Sequence, residues 1–148
     1  MGVQMKNYPV SVGQFSRKLG GLMLFMAVWM ISGGVAYADL EGATESLKHM
    51  DATVSTIEDA VKHASQGHGD QVSSHSIQAI AHAEQAIKAM PTGNAHAREA
   101  VSLLKEAVVN LNKATHLANE GNTKKATSYV NMALDFSDAA ILHLRHSH

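Results

Sequence analysis

From Thr44 to the C-terminus, apolar residues recur at alternating spacings of three and four. The pattern is cut only at Gly67–Gly69, at Pro91–Gly93 and at Gly121. Such a period puts one apolar stripe on each of a series of helices, and a helix with one apolar stripe must bury it against another. The first helix is expected from about 44 to 66, with Leu47, Met50, Val54, Ile57, Val61 and Ala64 as its seam. The second runs from about 70 to 90 and stops at Pro91-Thr92-Gly93. The third runs from about 95 to 120, capped by Asn94, with Ala97, Val101, Leu104, Val108, Leu111, Thr115 and Ala118 facing inward. The fourth, capped by Thr123, runs from about 123 to 146 and carries Val130, Leu134, Ile141 and Leu144. No segment alternates as a strand does. Short connections make sequential helices antiparallel, so the expected fold is all-α, an up-down-up-down antiparallel four-helix bundle.

The first two helices, shifted by 54 positions, fall on the last two. Ala60, Ala64 and Gly67 meet Ala114, Ala118 and Gly121, so the unit is a helical hairpin used twice. With the seam lettered a and d, position g is mostly alanine: Ala60, Ala79, Ala86, Ala100, Ala107, Ala114, Ala126, Ala133 and Ala140. Alanine beside a seam admits a close helix approach, although it also serves helix propensity alone.

The N-terminus carries a different signal. Lys6, Arg17 and Lys18 precede an almost wholly apolar run, Leu19 to Ala36. Ala36-Tyr37-Ala38 then has the small-x-small pattern of a signal-peptidase site. Residues 1–38 therefore read as a signal peptide and 39–148 as the mature domain. An uncleaved anchor is the alternative, since a span needs roughly 17–25 residues. The mature part retains nine Lys and Arg against 13 Asp and Glu, a net charge of −4. That charge opposes binding to nucleic acid or an anionic membrane. There is no cysteine, so disulfides and thiolate metal sites are excluded.

All ten histidines lie in the mature part. Seven occupy position c, outside the core but next to the alanines at g, and so are expected to be partly exposed at the border of an alanine-lined helix contact: His49, His63, His68, His75, His82, His96 and His143. Along one helix the stripe cannot share an ion. Residues seven apart are separated by about 10.5 Å of rise, whereas zinc holds imidazole nitrogen at about 2.0–2.1 Å. Partners must come from the neighbouring helix. If the first hairpin folds back about Gly67, facing residues have a nearly constant index sum. His63 with His68 and His49 with His82 both give 131, and the repeat carries this to 239 for His96 with His143. His75 would face Thr56 and lack a histidine partner.

Carboxylates stand near these pairs. Glu45 is four residues before His49, Asp59 four before His63, and Glu99 three after His96. Each shares a helix face with its histidine, as a ligand or as an acceptor that orients the ring. At the C-terminus, His143 and His146 stand one turn apart and can meet one ion, and His148 lies at the frayed end.

The run "EDAVKHASQGHGDQVSSHSIQAIAHAEQAIKA", Glu58 to Ala89, resembles the small periplasmic metal-binding proteins (SmbP-like), short exported helical proteins built on heptads that carry histidine. The resemblance covers the mature chain. It implies a four-helix bundle that binds several divalent transition metals, copper among them, and it carries over to His63, His68, His75 and His82. The second hairpin departs from the pattern, with Leu103, Leu117, Tyr129 and Phe136 where a dense histidine stripe would continue.

The expected function is metal buffering or scavenging in the periplasm by a monomer, with no membrane contact in the mature form. The metal-binding residues are His49, His63, His68, His75, His82, His96, His143 and His146, with support from Glu45, Asp59 and Glu99. Imidazole with carboxylate and no thiolate suits Cu(II), Ni(II), Zn(II) and Co(II), with Cu(II) held tightest. Two other classes remain open: a structural or chaperone-like helical protein whose histidines are solvated, and a b-type haem bundle. An enzyme is not expected. No nucleophile–base constellation, phosphate loop or paired carboxylates are visible.

Overall fold

The computed structural model describes the backbone of residues 15–146 and the side chains of residues 39–146. It contains four helices: α1 (Phe15–Ser65), α2 (Gly69–Ala89), α3 (Ala95–Asn119) and α4 (Thr123–Arg145). The chain divides into two compact units, Met1–Ala38 and Asp39–His148. In the first, the described part is helix, and the expected signal region before residue 15 lies outside the described residues, as does His148. Helix α1 begins far earlier than the expected start near Thr44: that start marks where the amphipathic pattern begins, and no proline between Phe15 and Ser65 stops the helix from extending beyond it.

The unit from Asp39 is an antiparallel four-helix bundle. Helix α3 packs against both α2 and α4, whereas α2 and α4 barely touch and so stand diagonally. Helix α1 closes the square. Ser46 Oγ donates to the Ala86 carbonyl of α2 at 2.7 Å, and Arg145 of α4 lies 3.7 Å from Asp51. Two core clusters, each drawing on all four helices, fill the interior.

The core is centred one step away from the expected seam. All nine g alanines are fully buried, together with the d residues Met50, Ile57, Leu104, Leu111, Val130 and Leu144. The a residues Leu47, Val54, Val61, Ile80, Ile87, Val101, Val108 and Leu134 are only partly buried. The seam is thus d/g. In a seven-residue repeat over two turns each residue advances about 103°, so a and c lie symmetrically, about 77° to either side of a d/g centre. A methyl-lined centre admits a close helix approach, since interaxial distance follows the size of the side chains at the contact. Where Gly42 meets α2, an added Cβ would stand 2.8 Å from the Ala89 carbonyl oxygen.

The two hairpin turns repeat in detail. Gly67 and Gly121 adopt φ of +76° and +77°, the left-handed C′ conformation that ends a helix and that glycine adopts without cost. His68 and Asn122 are the equivalent N-cap positions of α2 and α4, and neither side chain caps. Thr123, expected as a cap, is already inside the helix. Asn94 caps α3 as expected, its Oδ1 accepting from His96 N–H at 2.8 Å.

Candidate metal centre

The recentred core decides where position c lies. About an a/d seam, c would stand about 130° from the centre, on the outer surface. About the observed d/g seam it lies on the shoulder of the helix interface. His49, His63, His75, His82 and His143 are accordingly half-buried, while His68 and His96 remain exposed. Shoulders of α1 and α2 face each other along one edge of the bundle, and those of α3 and α4 along the opposite edge.

Each expected pair forms. The ring centroids of His49 and His82 are 6.2 Å apart, those of His63 and His68 5.8 Å, and those of His96 and His143 6.1 Å. His75 corrects the expectation that it lacks a histidine partner. It stacks on His63 at 5.2 Å with only 10° between the rings, an index sum of 138. The physical reason is the lean of helical side chains toward their own N-terminus. In an antiparallel pair both tips then shift to lower indices, and residues whose tips meet have a larger index sum than residues level at Cα. His63 sits between two rungs and reaches both.

The separations of the three expected pairs fit a shared ion. A ring centroid lies about 3.2 Å from an ion bound by one of its nitrogens, so two ligands at 90–180° have centroids about 4.5–6.4 Å apart. At the α1–α2 turn the fit extends to atoms. Nδ1 of His63 and Nδ1 of His68 are 3.5 Å apart. Two nitrogens at that separation subtend about 115–120° at an ion bound at 2.0–2.1 Å, near a tetrahedral angle. At the His49–His82 pair, His82 Nδ1 is buried without a hydrogen-bond partner. An orphaned imidazole nitrogen is costly unless something binds it.

The carboxylates divide. Glu45 Oε1 lies 3.1 Å from His49 Nε2 and can orient the ring or join as a ligand. No ion pair joins Asp59 to His63 or Glu99 to His96 among the described residues. His116, which sits outside the shoulders, pairs instead with Glu120 at 3.3 Å. At the C-terminal end of α4, His96, Leu142, His143 and His146 line an open hollow, and His146 Nδ1 contacts the Leu142 carbonyl at 2.7 Å. Among the described residues no group of three or more His, Asp or Glu is placed to hold one ion. The arrangement among the described residues is therefore a set of histidine pairs, each able to offer an ion two nitrogens.

On the second hairpin the shoulder is mostly apolar. Leu103, Leu117, Tyr129 and Phe136 pack against the core, and Lys113 Nζ stands 5.5 Å from the Tyr129 ring. Among the described residues one histidine rung remains there. Among the described residues no helix is long and apolar enough to cross a membrane; the side chains of the apolar run at 19–36 lie outside that description. Residues 16–140 match the profile of a family described as "Small metal-binding protein". No curated protein matches the chain.

Proposed function

The chain belongs to the small metal-binding protein family, and from that premise we propose that it is an exported protein that buffers or scavenges divalent transition metal ions. The ions are its cargo, with Cu(II) held above Ni(II), Zn(II) and Co(II). The observation that carries this reading is the ladder of three cross-helix histidine pairs, with centroid separations of 5.8–6.2 Å. A two-imidazole rung leaves the remaining positions to water. That favours reversible binding of several ions over a closed structural or catalytic centre. Protons compete for the same nitrogens, so acid releases the load. Export is supported by the apolar run ending at Ala36-Tyr37-Ala38, and the compact unit begins at Asp39.

Calorimetric titration of the purified protein with copper, nickel and zinc tests the reading. His63→Ala/His68→Ala and His49→Ala/His82→Ala should each remove one binding event. No heat with any of the three metals would reject the function, and unchanged stoichiometry in both double variants would reject the rungs. For export, protein recovered from the periplasmic fraction should begin at Asp39.

A further inference from the structure

The rungs are not equivalent, and the difference lies in what holds each ring. At the α1–α2 turn the two ligands are tied to each other through the backbone. His68 N–H donates to the His63 carbonyl at 3.0 Å, and Gly67 N–H to the Ala64 carbonyl at 3.1 Å. Gly67 fixes the reversal at φ +76°. The start of α2 is seated as well: a Cβ on Gly69 would come within 3.0 Å of the Ala118 carbonyl oxygen. The side chains are then set by neighbours. His75 lies flat on His63, rings 10° from parallel, while the Nδ1 edge of His63 faces that of His68 at 3.5 Å.

The stack also says what His75 does not do. An imidazole binds through a lone pair in the plane of its ring, so an ion lies in the plane of every ring that ligates it. Two rings stacked face to face have planes that do not meet near either ring. His75 in this position cannot share the ion that His63 would share with His68. What the stack does is remove rotational freedom from His63 before binding, and freedom already lost is not a cost of binding.

Among the described residues, no third ring stacks on a ligand of the other rungs. The His49 and His82 rings lie 26° from parallel with each other, His49 is engaged through Nε2 by Glu45, and the pair closes across 33 positions of sequence. His96 is exposed.

We propose that the first ion enters at the α1–α2 turn, between Nδ1 of His63 and Nδ1 of His68, and that His75 is a positioning residue that holds the His63 ring by stacking and is not a ligand. This rests on the metal-binding reading above. Both ligating rings must carry their proton on Nε2, the outward nitrogen.

The test uses Zn(II) alone on the purified protein, followed by imidazole nitrogen NMR and by calorimetry. At half an equivalent of Zn(II), the Nδ1 signals of His63 and His68 should move, with those of His75, His49 and His82 in place. His75→Phe keeps a flat ring and removes both nitrogens. It should bind the first ion within about twofold of the parent. His75→Ala should bind it about tenfold more weakly, the lower end of the range for residues that orient a ligand. Far-UV circular dichroism confirms that each variant is folded. Equal losses in His75→Phe and His75→Ala, or a His75 nitrogen moving with those of His63, would make His75 a ligand and overturn its role. A first ion at His49 and His82 would overturn the order. A parent protein that binds no zinc, copper or nickel would instead overturn the metal-binding function itself.

Discussion

Removing one histidine should separate rungs that exist only in the folded bundle from the rung that the unfolded chain can also make. His49 and His82 are 33 positions apart and meet only when α1 and α2 have packed, whereas His63 and His68 are five apart. An ion that binds the folded state alone stabilises it by RT ln(1 + [L]/Kd), about 2.7 kcal/mol at a free ion concentration of 100 Kd. Unfolding a domain of this size releases roughly 2.1 cal/mol/K per residue, about 0.23 kcal/mol/K in all. The folded-only rung should therefore raise Tm by about 12 °C. The turn rung should give only a few degrees, since a metal bound by the unfolded chain cancels part of the gain. The assay is thermal melting by far-UV circular dichroism, with and without Zn(II). In His82→Ala the metal-induced rise should fall by about 12 °C, and in His68→Ala by much less. A His82→Ala protein that keeps the full rise, or a His68→Ala protein that loses as much, would refute the linkage between folding and the long-range rung.

Without metal the same position should behave in the opposite way. His82→Leu replaces a ring whose buried Nδ1 has no partner and should raise metal-free stability by about 1 kcal/mol in urea denaturation while deleting the rung. Ala107→Leu forces an isobutyl group into a fully buried methyl position and should lower stability by about 2 kcal/mol or more, read as a fall in the urea midpoint. Gly67→Ala and Gly121→Ala each put a Cβ into open space at positive φ, so strain alone should cost each about 1–2 kcal/mol. Only Gly67→Ala should also weaken the first metal-binding step by calorimetry.

The fold was legible because its signals are local and repeated. Glycines at 67 and 121, Asn94 before α3 and Pro91 after α2 mark the ends of helices through backbone conformations that few other residues accept. The helix count and the antiparallel order follow from those marks and the short connections. Less legible was the axis of the core. Large aliphatics at a and d outweigh alanine in any hydrophobic count, so the seam is read between them. Burial is instead decided by how close the helices come, and the alanines let them close on g. His75 was hidden for a related reason. An index sum pairs Cα levels, while contact is made by tips that lean toward each helix N-terminus. The carboxylates were only partly legible. Glu45, Asp59 and Glu99 have similar spacing to a histidine, but only Glu45 closes on its ring.

From Asp39 onward, the helical period and the turn residues alone specify four antiparallel helices in two equivalent hairpins. Composition supplies ten imidazoles and no thiolate, and the seven-residue spacing means that an ion shared by two stripe histidines would lie between helices. Those conclusions need only the helical period, the turn residues and the absence of cysteine. Packing of all four helices was needed to show that the core is centred on the alanines, which brings position c from beside the interface onto its shoulder. It also decided that His63 meets both His68 and His75. Each depends on the distance and rotation between packed helices, which are set by the fit of all four at once and appear in no single segment.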